Sequence, residues 1–293
     1  MKTTTLAIIG GDRRYFAAAN QLCTAGVEVS VFGFDDTTPF NLNIHTCKTP
    51  EEALTASQYV LLPLPCSNDG KTLNAPLYSG SIPLSVLAEH LTASKTVLGG
   101  KPDNTFKTLL REKNIPFIDY LSREEFAVLN AVPTAEGAIE IALHEMPITL
   151  SGAKCLVIGF GRIAKVLCHR LASMGAFVTA SARKPADLAW IQAYGYTGIH
   201  TKDLKEHLSR FQLIVNTVPH LILNEELLNK INQNTLIIDL ASKPGGVDFE
   251  YAKTLNLNVN WALALPGKVA PQSAGSVICK TVLNIISESE VKV

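Results

Sequence analysis

At 293 residues the chain is long enough for two hydrophobic cores of the usual domain size, about 100 to 150 residues each. Lysine plus arginine and aspartate plus glutamate balance at 26 each, which gives no electrostatic case for a nucleic-acid or membrane partner. The six cysteines, at 23, 47, 66, 155, 168 and 279, are scattered and form no CxxC, so they read as reduced core thiols of a cytosolic protein. Met1 leads straight into a strand without the pattern of a secretory signal, and no apolar run approaches the roughly 20 residues of a membrane span.

In chain order, Thr4 to Ile9 is an apolar, β-rich run that ends in Gly10, Gly11, Asp12, Arg13 and Arg14. A helical stretch follows from Tyr15, Gly26 stops it, and Val27 to Phe32 reads as the next strand. Short apolar strands at Tyr59–Leu64, Thr96–Leu98 and Ile115–Ile118 alternate with helical segments at 51–56, 84–91 and 104–113, the pattern of a parallel sheet. Ligands of such sheets sit at the carboxyl ends of the strands, which directs attention to Asp12, Arg13, Asp35, Pro65, Lys101, Asp119 and Tyr120. Gly10 and Gly11 lack the following x-x-G and do not make a second dinucleotide loop. Residues 122–146 read as one long helix between two β/α halves, with Pro133 and Gly137 placed to bend it or to admit another backbone.

Past a turn at 147–152, Cys155 to Ile158 is an apolar run suited to a strand buried on both faces. Gly159, Gly161 and Ala164 follow at the spacing of GxGxxA, the loop in which one glycine makes the turn and the next admits a pyrophosphate. Ile163, Val166, Leu167, Leu171 and Met174 then recur at helical spacing, Gly175 stops the helix, and 176–181 forms the second strand. This context makes Gly159, Phe160, Gly161, Arg162 and Ile163 the expected cradle of a dinucleotide. An NAD site carries Asp or Glu at the end of the second strand, roughly twenty residues on, to bind the ribose hydroxyl. Here Ser181, Arg183 and Lys184 stand instead, and a hydroxyl with two cations suits the 2′-phosphate of NADP. Strands at 213–218, 236–240 and 259–263 continue the sheet; Pro266, Gly267 and Pro271 break the chain; and a last helix, 272–287, is expected to cross back to the first domain.

The fragments IIGGDRRY at 8–15, NAVPTAEGAIEIALHEMPITL at 130–150, GFGRIAKVL at 159–167, ARKPADLAWIQAYGY at 182–196 and NTVPH at 216–220 together resemble the family of dipicolinate synthase A-type subunits. The resemblance spans nearly the whole chain. It implies an α/β fold of two Rossmann-like, doubly wound parallel-sheet domains joined by an interdomain helix. Residues 1–128 would form a substrate and partner domain that takes back the C-terminal helix (about 272–293), and 129–271 the NADP-binding domain. It also implies NADP-dependent formation of pyridine-2,6-dicarboxylate from a dihydrodipicolinate or hydroxy-tetrahydro precursor. The setting it implies is an oligomer with the flavoprotein-like B-type subunit of dipicolinate synthase, in the mother-cell cytoplasm of a sporulating bacterium. Ala164 in the third glycine position is a substitution more usual in NADP sites.

That chemistry asks for groups that orient two rings, anchor two carboxylates and take up a proton. Arg13, Ser81, Lys101 and Lys243, at strand ends, are the candidate anchors. Arg13 and Arg14 are consecutive, so at most one is expected to face the cleft while the other is solvated. His220 follows Thr217, Val218 and Pro219, a loop that borders the nicotinamide ribose in Rossmann domains, and is the candidate base. No metal-ligand spacing occurs. Two other readings share these features: an ordinary 2-hydroxy-acid or amino-acid dehydrogenase, and an NADP-binding subunit that regulates its partner without catalysing.

Overall fold

The structure, a computed structural model, describes residues 4–35 and 40–291 and divides into two compact units, residues 1–129 with 270–293, and residues 130–269. The first contains strands β1 (Thr5–Ile9), β2 (Glu28–Phe32), β3 (His45–Thr46), β4 (Tyr59–Leu61), β5 (Thr96–Gly99) and β6 (Phe117–Asp119), all parallel, in the order β3-β2-β1-β4-β5-β6. Its helices are α1 (Arg13–Thr24), α2 (Pro50–Thr55), α3 (Leu84–His90) and α4 (Asn104–Glu112). Helix α5 (Glu124–Glu145) carries the chain into the second unit. There the strands are β7 (Lys154–Ile158), β8 (Phe177–Ala182), β9 (Thr197–His200), β10 (Leu213–Asn216), β11 (Leu236–Asp239) and β12 (Asn258–Trp261). They too are all parallel, in the order β12-β11-β10-β7-β8-β9. Helices α6 (Arg162–Ser173), α7 (Pro185–Ala193), α8 (Glu225–Leu228), α9 (Phe249–Thr254) and α10 (Leu265–Val269) cover them, and α11 (Pro271–Val291) returns to the first unit.

Two-sided burial explains why the strands read as unbroken apolar runs. In the first unit Leu6, Ile8, Val29, Val31 and Leu61 enter one core, while Ala7, Ile9, Phe32, Val60 and Leu62 enter the core on the opposite face. In the second, Cys155, Val157, Ala180, Val215 and Ile238 share one core and Leu156, Ile158, Ile199, Ile214 and Ile237 the other. A side-chain period of two therefore puts apolar residues at every position. In each sheet the order reverses beside the first strand, between β1 and β4 and again between β7 and β10, which creates the crevice at which doubly wound sheets bind ligands.

Several boundaries differ from the sequence reading. Helix α1 starts at Arg13 because Asp12 caps it, its carboxylate accepting from the Arg14 amide at 3.0 Å. Strand β4 stops at Leu61, ahead of Pro63 and Pro65, which cannot donate to a ladder. Pro266 and Gly267 do not break the chain: α10 runs through them, since a proline in a helix's first turn loses no hydrogen bond. Helix α5 is long and apolar enough to cross a membrane by length and composition, contrary to the expectation that no stretch is. Its Ala135, Ala138, Ile139 and Ala142 nevertheless belong to the core of the second unit. Gly137 admits a side chain rather than another backbone, since a Cβ there would lie 3.1 Å from the Leu265 Cβ. Gly275 lets α11 approach α1, where a Cβ would lie 2.6 Å from both Ala17 and the Arg14 carbonyl. All six cysteines are free, and burial pushes the Cys66, Cys155 and Cys168 thiols up to about 12.

Candidate functional site

The carboxyl edge of the first sheet is built on Arg14. Its guanidinium takes both oxygens of Asp12, with Nε 2.9 and 3.0 Å and Nη2 2.8 Å away, and also donates to the Leu64 carbonyl at 2.8 Å. Burial is the largest influence and opposes the charge, but the hydrogen bonds to Asp12 and the charge interactions with Tyr15, Asp12 and Tyr120 together outweigh it and hold the guanidinium above its ordinary range. Of the two consecutive arginines, Arg14 is the buried one and Arg13 the exposed one. Arg14 is only 7% exposed and ties the loops after β1 and β4 together, while Arg13, at the first position of α1, stands open to solvent. Behind this pair the Tyr15 and Tyr120 hydroxyls hydrogen-bond to each other, and their complete burial is the main cause that raises both phenols. Lys101, exposed two residues past β5, adopts a left-handed backbone with φ 51°. Ser81 is exposed in the connection between β4 and α3. Asn74 joins these loops, its carbonyl accepting from Gly11 at 3.0 Å, its amide donating to Cys66 at 2.8 Å and its side chain to Pro65 at 3.3 Å.

In the second unit the glycine turn has the shape a dinucleotide needs. Gly159 has φ 96°, and a Cβ on it would stand 2.6 Å from Thr217 Oγ1 and 2.8 Å from Val218, so the turn lies directly against the loop after β10. Gly161 is exposed, and nothing lies within 4 Å of where its Cβ would be. No side chain caps α6, whose first-turn amides belong to the group a helix leaves without internal partners. Open space in front of uncapped amides is a cradle that fits a pyrophosphate. Phe160 is buried, Ile163 half-buried and Arg162 exposed.

Ser181 requires a correction. It is fully buried, with no partner for its hydroxyl, and its carbonyl accepts from Gly159 at 3.0 Å. The reason is register: Ser181 pairs with Ile158, and β8 continues one residue further to Ala182, which is also buried. The first residues to leave the sheet are Arg183 and Lys184, both exposed. Of Ser181, Arg183 and Lys184, the basic pair alone is exposed at the end of β8.

The loops after β10 and β11 are fastened to each other by two buried polar residues that sequence reasoning missed. Asn216 and Asp239, registered opposite each other and both fully buried, are bonded at 2.8 Å. The Asn216 side chain also accepts from the Val218 amide at 3.1 Å and donates to the Val218 carbonyl at 3.0 Å. Asp239 accepts from the Ala241 amide at 3.0 Å and the Gly246 amide at 2.7 Å. Thr217 Oγ1 donates to Ile158 at 2.8 Å, so the same loop is pinned to the end of β7. Val218 is half-buried, while Pro219, His220 and Lys243 are exposed, and the pair thus brings His220 and Lys243 onto two joined loops. The available signal was a polar residue closing an apolar run, in LIVN and again in LIID. Among the described residues no group of three or more His, Cys, Asp or Glu side chains is placed to hold a metal ion.

Comparison with known proteins accounts for both units. Residues 5–121 match the N-terminal domain of the dipicolinate synthase A-type subunit, and residues 133–244 match the NAD-binding domain of D-isomer specific 2-hydroxyacid dehydrogenases. The A-type subunit of dipicolinate synthase from Bacillus subtilis is 29% identical over 97% of this chain and 96% of its own length. The crystal structure of the corresponding protein from Bacillus halodurans superposes with a TM-score of 0.90 at 28% identity, covering 97% of this chain and 98% of that one. A transhydrogenase from Sinorhizobium meliloti, at 15% identity and a TM-score of 0.73 over 97% and 94% of the two chains, shares the fold. The dehydrogenase-type domain, the open glycine cradle and these likenesses make the protein an oxidoreductase that uses a nicotinamide cofactor. In sequence and in fold, through both its units, the chain is a relative of the A-type subunits of dipicolinate synthase.

Proposed function

We propose that this protein is the NADP-dependent subunit of a dipicolinate synthase, forming pyridine-2,6-dicarboxylate from dihydrodipicolinate or its hydroxy-tetrahydro precursor during sporulation. It would work in the mother-cell cytoplasm as part of an oligomer with the synthase's flavoprotein-like B-type subunit. The observation that carries the reading is the open cradle at Gly161 with Arg183 and Lys184 beyond β8, in a chain whose first unit matches the dipicolinate synthase domain. NADP, when bound, supplies the hydride acceptor for the oxidation. The protein's own residues hold and orient. Gly159, Phe160, Gly161, Arg162 and Ile163 present the turn and helix end to the pyrophosphate, and Thr217, Val218 and Pro219 border the nicotinamide side. His220 takes the ring proton on an imidazole nitrogen. Arg13 grips one substrate carboxylate with two parallel hydrogen bonds, and Ser81, Lys101 and Lys243 supply further contacts to the dicarboxylate.

Cofactor choice is tested by titrating NADP and NAD into wild type and Arg183→Ala. Loss of one charge-assisted phosphate contact should weaken NADP by about 1.5 to 3 kcal/mol, one to two decades, with NAD unchanged. Equal wild-type affinities for the two cofactors would sink the NADP assignment. For the anchor, Arg13→Lys keeps the charge but loses the fork, so the KM for the precursor rises while NADP affinity stays the same. If Arg13→Lys and Arg13→Ala both leave kcat/KM within about twofold of wild type, Arg13 is not the anchor and Lys101 is next.

A second reading, an NAD-dependent 2-hydroxy-acid dehydrogenase, draws on the match over residues 133–244. Against it, Ala182 closes β8 and Arg183 follows, leaving no acid to hold a ribose hydroxyl. A turnover screen with 2-hydroxy acids and NAD decides it, with no turnover expected.

A further inference from the structure

We infer that Asp239 is a positioning residue that hangs both loops of the second unit's carboxyl edge on one buried carboxylate. The inference deepens the proposed function, since it assumes that those loops carry His220 and Lys243 to the substrate.

The geometry leaves Asp239 little freedom. One oxygen accepts from Asn216 Nδ2 at 2.8 Å and from the Ala241 amide at 3.0 Å; the other accepts from the Gly246 amide at 2.7 Å. An amide side chain can point either way, and the carboxylate decides the direction by accepting only. With Nδ2 committed to Asp239, the Asn216 oxygen is left to accept from Val218 N, and the chain turns at Thr217–His220 as it does. The turn is closed by the His220 amide donating to the Val218 carbonyl at 2.9 Å, the same carbonyl that Asn216 holds. On the other side, the Gly246 carbonyl accepts from the Ile222 and Leu223 amides, both at 3.0 Å, so the loop fixed by Asp239 also clasps the chain just beyond His220. A Cβ at Gly246 would collide with Asn216 Nδ2 and stand 2.6 Å from the Val218 carbonyl, so the two loops meet with no room between them. Trp261 Nε1 donates to the Ala241 carbonyl at 3.0 Å and closes the far side. Because Val218 also lies against Gly159, the same device fixes the distance between the glycine turn and the loop that bears His220.

Asp239→Asn separates this role from a merely structural one. The amide is isosteric but presents a donor to one of the two N–H groups, or to Asn216, whichever way it turns. The first readout is amide hydrogen exchange on the full chain without cofactor. Protection at Val218, His220, Leu223 and Gly246 should fall together, by about tenfold to a hundredfold, while β7 and β8 keep theirs. The second is kinetics with NADP: kcat should fall by at least about tenfold, and by more than NADP affinity does, because the loops that carry His220 and Lys243 are released while the amides at the start of α6 keep their place. Gly246→Ala, which wedges the loops apart and leaves the carboxylate intact, should reproduce both effects. Loss of protection in only one loop, or a general loss across the sheet, overturns the inference. So does an unchanged kcat with both loops released. If the wild-type chain binds no NADP, the proposed function fails, and the exchange experiment still decides whether Asp239 holds both loops.

Discussion

Replacing Gly161 by valine should abolish NADP binding while leaving the protein folded. Gly161 caps α6 with φ −82° and ψ −164°, extended backbone that any residue adopts, and nothing lies within 4 Å of where its Cβ would be. The new Cβ therefore meets only open space, in front of the amides proposed to hold the pyrophosphate. Valine is a poorer helix cap than glycine, which costs the fold about 1 kcal/mol at most. The loss in binding should reach at least about a hundredfold, near 3 kcal/mol. Thermal melting reads both effects together: the free variant melts close to wild type, and added NADP no longer raises its midpoint. A midpoint that rises with NADP as it does in wild type would place the cofactor elsewhere. Gly159→Val is the contrasting case. With φ 96° and Thr217 Oγ1 2.6 Å from the new Cβ, it damages the fold before it reaches any ligand.

The second large effect is on stability, and it separates two adjacent arginines. Arg14→Leu leaves the Asp12 carboxylate without its partner and the Leu64 carbonyl without its donor. Breaking a buried ion pair by removing one member costs about 3 to 5 kcal/mol, and the lower end applies because the Asp12 side chain is 28% exposed. For a unit of this size that lowers the melting midpoint by about 6 to 12 °C. Arg13→Leu, at an exposed position, should stay within about 0.5 kcal/mol of wild type. Equal midpoints for the two variants would mean that the Asp12–Arg14 pair does not hold the loops after β1 and β4.

What is legible in the sequence follows from period and burial. β7 is visible because KCLVI is apolar on both faces, and α6 because its glycine turn and stop bracket a clear helical face. β3 and β9 are not, for different reasons. His45–Thr46 is a two-residue exposed edge, and TGIH, at the other sheet's edge, buries only Ile199. At the candidate site, the cradle and the basic pair at 183–184 are readable from local spacing. Ser181 is misplaced because β8 runs one residue past it, to the buried Ala182, so that the first side chain beyond the sheet edge is that of Arg183. The bonds that hold the loops are long-range: Arg14 reaches a carbonyl 50 residues away, and Asn216 a carboxylate 23 residues away. The polar residue that closes each apolar run marks Asn216 and Asp239 singly, but only the parallel register of β10 with β11 sets them opposite each other.

The measurement that bears most directly on the proposed activity is turnover of enzymatically generated dihydrodipicolinate precursor by the purified chain with NADP, alone and with the proposed flavoprotein-like B-type subunit. NADPH is followed by absorbance and pyridine-2,6-dicarboxylate by chromatography. The two products should appear in equal amounts, NAD should support the reaction at least about tenfold less well, and Gly161→Val should abolish it. NADP binding without turnover under either condition, or dicarboxylate formed at the same rate by Gly161→Val, would contradict the proposed activity.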